Sequence, residues 1–143
     1  MRVVALLLLT ACDLGYGVTR KYPAARASEA CLREALDSTR EIAKVTDAPM
    51  GPGEPRWFWV ARIDFADPNN AHGAVYRLHD DLFVSTGSMG TTNCNAVARG
   101  MAVMAELERR IRETCGPLPP AQEKRTYVSQ CGTLREDPPP APR

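Results

Sequence analysis

Hydrophobic and polar positions follow two different periods along this chain. Between 28 and 46, Leu32, Ala35, Leu36, Ile42 and Ala43 recur at the spacing of one helical stripe, with Arg33, Glu34, Asp37, Arg40, Glu41 and Lys44 largely off it. Ser28 supplies an N-cap and Glu29 an acid for the first turn, so a helix is predicted over 28–46. The breakers of Pro49-Met50-Gly51-Pro52-Gly53-Glu54-Pro55 end it. The period then changes to two. Trp57, Trp59, Ala61, Ile63 and Phe65 alternate with Phe58, Val60, Arg62 and Asp64, the pattern of a strand with one apolar face.

After the turn residues 67–73, Ala74 to His79 predicts a second strand. Asp80-Asp81 favours a tight turn into a third strand over 82–86; one uninterrupted long strand is the rival. Helical spacing returns from Cys94 to Cys115, where Val97, Met101, Met104, Ala105, Ile111 and Cys115 share a face and Gly116-Pro117 stops the helix. Residues 125–129 offer a candidate C-terminal edge strand. Together these elements predict an α+β fold: two helices packed on one face of an antiparallel sheet of about three strands, in the order α-β-β-β-α.

The N-terminus carries a different signal. Arg2 precedes the apolar run Val3-Val4-Ala5-Leu6-Leu7-Leu8-Leu9, which is too short to span a bilayer. The run ends in Leu9-Thr10-Ala11-Cys12, which resembles the lipobox of bacterial lipoproteins. The resemblance implies acylation of the Cys12 thiol, cleavage just before it, and a lipid-anchored, periplasm-facing protein of the cell envelope. Asp13 resembles the signal that retains such proteins in the inner membrane of enteric bacteria, and other lineages sort by different rules. The expected organisation is a signal peptide over 1–11, a lipidated tether over 12–27, a globular domain over 28–131 and a Pro-rich, unpacked tail over 132–143.

Of five cysteines, Cys31, Cys94, Cys115 and Cys131 remain once Cys12 is lipidated. An even number in an exported domain predicts two disulfides, and no C-x-x-C pair suggests a metal. Cys94 and Cys115 lie about 30 Å apart along one helix, beyond the roughly 7 Å a disulfide spans. Three strands between the helices would make them run in the same sense, pairing Cys31 with Cys94 and Cys115 with Cys131. Two strands would oppose them, pairing Cys31 with Cys115 and Cys94 with Cys131. The Asp80-Asp81 turn selects the first pairing.

Lys and Arg number 18 against 17 Asp and Glu, and loss of Arg2 makes the mature chain formally neutral. Such a balance lacks the footprint that nucleic acid demands. No metal and no cofactor is called for. Trp57 and Trp59 are the candidate platform for cell-wall carbohydrate, although same-side aromatics on a strand also fill cores. Thr86, Ser88 and Thr91, in the hydroxyl-rich approach to the second helix, are the candidate binders of a small anion. A hydrolase would have to draw on Arg62, Asp64, His72 and His79, the polar groups that neighbouring strands bring nearest. The leading expectation is a non-catalytic lipoprotein that binds a protein partner, as an immunity or envelope-assembly factor. The alternative is a binding module for cell-wall carbohydrate or a small anionic ligand.

Overall fold

The computed structural model describes residues 15–48, 57–66, 72–89 and 94–127. Six strands form one sheet: β1 (Gly15–Tyr22), β2 (Ile42–Asp47), β3 (Trp57–Phe65), β4 (His72–Leu78), β5 (Asp81–Met89) and β6 (Gln122–Tyr127). Their spatial order is β2-β3-β4-β5-β1-β6, and every neighbouring pair is antiparallel. Two helices, α1 (Glu29–Asp37) and α2 (Cys94–Cys115), cover one face. The α+β class and the helix pair stand, but the sheet of about three strands is corrected to six.

Two of the added strands lie in segments with weak patterns. The segment expected to be a tether contains β1, which lies between β5 and β6 in the sheet. Its even positions Val18 and Tyr22 are fully buried, while Gly15 and Gly17 dilute the signal. The helix expected over 28–46 ends at Asp37, and its last third is β2. Ser28 Oγ accepts the Cys31 amide at the start of α1. At the other end the Ser38 and Thr39 hydroxyls donate back to the Ala35 carbonyl at 3.0 and 2.8 Å, taking up the unpaired acceptor of the final turn. The β-branched Val45-Thr46 then favour extension.

These corrections change the disulfide. Four strands, not three, separate α1 from α2, so the helices run in opposite senses. The first turn of α1 meets the last residue of α2, and Cys31 is bonded to Cys115 with Cα atoms 5.4 Å apart. The expected pairs Cys31 with Cys94 and Cys115 with Cys131 are therefore replaced. The even strand count gives the parity of the two-strand alternative. Cys94 begins α2, and Cys131 lies outside the described residues, as do Cys12, Thr91 and the tail.

The core lies between the helices and one sheet face. Leu32, Ala35 and Leu36 of α1 and Val103, Met104, Leu107 and Ile111 of α2 pack with Val18, Tyr22, Trp59, Ala61, Ile63, Val75, Leu82 and Val84. Ala105, expected on the apolar stripe of α2, is exposed, and Val103 and Leu107 occupy the buried face. The turn between β4 and β5 is His79-Asp80, because Leu78 pairs with Asp81; His79 adopts a positive φ of 54° there.

Candidate functional site

Three polar or exposed regions stand out from this frame. The first is a charged cluster inside the fold. Glu108 of α2 is 3% exposed, and each of its oxygens is engaged. The Tyr22 hydroxyl donates to Oε1 at 2.6 Å, and Arg20 Nη1 donates to Oε2 at 2.5 Å. Arg20 also donates to Glu123 of β6 at 2.7 Å, and Arg125 pairs with Glu123. Burial, and then the hydrogen bond to Glu108, push the Tyr22 phenol well above its ordinary value. The cluster ties β1 and β6 to α2, and each Glu108 oxygen is committed to a partner within the fold.

The second region is a cavity of about 320 Å³ at the start of α1, lined by Glu29, Trp59, Arg77, His79 and Asp80. Its groups are largely committed to the fold. Arg77 donates to the Ala25 and Ala27 carbonyls. Arg33 pairs with Glu29 and Asp47, and its guanidinium lies 5.3 Å from the centre of the Trp59 ring. The Trp59 indole N–H donates to Asp47 at 3.2 Å, and Trp59 is 7% exposed. Hydrogen bonding from Arg33, joined by that of Trp59, lowers the Asp47 carboxyl below its ordinary range.

The third region is the sheet face opposite the helices. Strand pairing aligns Val60, Tyr76, Phe83, Lys21 and Gln122 in one cross-strand row. Tyr76 and Phe83 stack with centroids 4.7 Å apart and planes 10° from parallel. Lys21 Nζ stands 6.0 Å from the Phe83 centroid and pairs with Asp81 at 3.0 Å. Asp81 also accepts the Ala24 amide, and that bond followed by Lys21 lowers its carboxyl. Neither aromatic is enclosed, since each is only partly buried. Burial raises the Tyr76 phenol.

The residues singled out by sequence do not converge. Trp59 is held in the core under Arg33 and is no open platform, while β3 begins at Trp57. Thr86 is 3% exposed on the helix side, with its hydroxyl 3.5 Å from the His72 carbonyl, so it is withdrawn from any surface anion site. Ser88 falls within β5, which extends past the strand end expected at 86. His72 and Asp64 lie together on the open face, 3.5 Å apart, but His79 sits beyond the far end of β4, about 23 Å along the strand. Among the described residues, no three His, Cys, Asp or Glu side chains form a metal-binding group. Sequence reasoning misses the Tyr76–Phe83 ridge, because a turn at Asp80-Asp81 would set Tyr76 opposite Ser85, and only the observed turn at His79-Asp80 sets it opposite Phe83.

No protein-family model matches the chain, and no curated protein matches it significantly. Among solved structures, the chain is similar to the adenosylmethionine decarboxylase of Aquifex aeolicus, with a TM-score of 0.43 and 11% identity over 84% of this chain and 97% of that one. At that level the likeness carries no functional argument.

Proposed function

We propose that this protein is a non-catalytic, lipid-anchored domain of the bacterial cell envelope that binds a protein partner through the open face of its sheet. The observation that carries the reading is the stacked Tyr76–Phe83 pair beside Val60 on the side the helices leave uncovered. Partly exposed aromatics on the central strands of an uncovered face are the anchors that protein interfaces favour. The membrane attachment rests on Leu9-Thr10-Ala11-Cys12. Gly15 comes three positions after Cys12, a reach of at most about 11 Å, so the lipid would hold the Gly15 end of the sheet near the bilayer with its open face to the side.

A photo-crosslinking amino acid at Val60 in the full-length chain, expressed in its native envelope, tests this proposal. The reading expects a protein adduct from position 60 and none from Glu34, which is exposed on α1. It also expects the intact mass to show a lipid on Cys12 that Cys12→Ser abolishes. Absence of any protein adduct at position 60 defeats the binding role. An unmodified Cys12 defeats the anchor.

A further inference from the structure

Given the partner-binding role proposed above, on which this inference rests, the relief and charge pattern of the open face narrow the chemistry of the partner. Next to the aromatic row, pairing aligns Arg62, Ala74, Ser85, Thr19 and Lys124 across β3, β4, β5, β1 and β6. One row further along, Gly87 and Gly17 stand opposite each other. A side chain added at Gly17 would meet nothing within 4 Å. Small residues thus floor a shallow trough across the strands, the Tyr76–Phe83 ridge walls one side, and a cation stands at each end. Arg62 and Lys124 are separated by four strand spacings, about 19 Å.

The electrostatics of this face are one-sided. Lys21, Lys44, Arg62 and Lys124 belong to it, against Asp64 and Asp81, the first residue of β5. Lys21 is already engaged with Asp81. Arg62, Lys44 and Lys124 are exposed and make no ion pair among the described residues. Several cations elsewhere are matched: Arg20 with Glu108 and Glu123, Arg33 with Glu29 and Asp47, Arg109 with Glu106 and Glu113.

We propose that the trough binds an acidic polypeptide segment of the partner lying across the strands. Its carboxylates meet Arg62 at one end and Lys124 at the other, and an apolar side chain between them rests against Tyr76 and Phe83. A segment in extended conformation covers about 19 Å with roughly six residues, which sets the spacing of the two acids. Complementary charge at both ends fixes register, and the aromatic wall supplies the buried contact.

The adduct formed from position 60 provides the assay. Arg62→Glu with Lys124→Glu is expected to lower its yield roughly tenfold, as like charges come together. Gly17→Leu, which fills the trough where the fold has open space, is expected to do the same without lowering the melting temperature. The crosslinked segment of the partner should carry two Asp or Glu roughly six residues apart, an even spacing that turns both toward the sheet, and changing them to Lys should restore the adduct of the charge-reversed protein. Adduct yield indifferent to charge reversal, or a crosslinked segment without acids, overturns the acidic-segment proposal alone. Adducts only to lipid or to a second copy of this chain also overturn it. No protein adduct at all overturns the binding role together with it.

Discussion

The two faces of this sheet are built from the same strands and obey opposite rules. On the helix side, alternate residues such as Val18, Val75 and Val84 are completely buried, and the buried carboxylate of Glu108 has both oxygens bonded. On the other side, Arg62 and Lys124 make no ion pair among the described residues, and the aromatic pair is only partly covered. Period-two alternation makes such a division automatic, because every second side chain goes to each side. Residues on the helix side are held by the fold's own need for packing and satisfied polar groups. Those on the open side are under no such demand, which makes their pattern the better guide to binding.

The largest effect expected from breaking the helix side is loss of the Cys31–Cys115 bridge, which closes a separation of 84 residues. In the chain-entropy account, Cys115→Ser should cost about 4.5 kcal/mol, measurable as a lower guanidinium midpoint. Loss comparable to an exposed surface substitution would mean that other contacts hold the helices in register. Glu108→Ala comes next, at about 3 kcal/mol, because it leaves the buried Tyr22 hydroxyl without its acceptor and strips the half-buried Arg20 of one of its two carboxylate partners. Replacing all three by apolar residues of similar size should recover most of that loss. A failure to recover would show that the cluster also contributes through Glu123 and Arg125.

How much of this division is legible in the sequence depends on where each element's signal lies. The α2 helix, with its Gly116-Pro117 stop, and the alternation of β3 are written locally. The hairpin expected at Asp80-Asp81 lies within one residue of the observed turn. By contrast, the strand signal of β1, carried by Tyr16, Val18, Thr19 and Tyr22, is diluted by Gly15 and Gly17 and interrupted by Arg20. The strand is held by pairing with β5 and β6 and by the bond from Arg20 to Glu108, 88 residues away. In β2, Ile42 and Ala43 fit the preceding helical stripe as well as a strand. Reading them as helix changes the strand count between the helices from even to odd, and so reverses α2 and the disulfide. The trough is illegible for a related reason, since Thr19 and Lys124 belong to strands that only long-range pairing brings beside Ser85.

Tyrosine titration probes both faces at once. Tyr22 is raised by burial and by Glu108, Tyr76 by burial alone. A phenol whose folded value is raised contributes stability below its unfolded value, about pH 10, and loses it as pH climbs toward the folded value. Stability should therefore fall on the alkaline limb, and Tyr22→Phe should flatten that fall more than Tyr76→Phe. Near-ultraviolet difference spectra should show partner binding delaying Tyr76 further while Tyr22 stays fixed. A binding-induced shift at Tyr22 would instead place the partner's influence on the helix side.

Two glycines give the smallest contrast and the cleanest, since each lies in a strand and each faces a different side. At Gly73, on the helix side, an added methyl group would stand 3.1 Å from the Phe65 ring and 3.2 Å from the Ser85 carbonyl oxygen. The ring can swing aside only into packed core, and the carbonyl is fixed in the sheet, so Gly73→Ala should destabilise by about 1 kcal/mol. At Gly17 the same methyl group meets nothing within 4 Å. Gly17→Ala removes conformational freedom from the unfolded chain and introduces no clash, so it should stabilise by about 0.5 kcal/mol. Opposite signs in paired thermal melts would locate packed and open faces with no partner present. A destabilised Gly17→Ala would mean that the open face is already occupied by the protein itself, and the trough would lose its claim as a binding site.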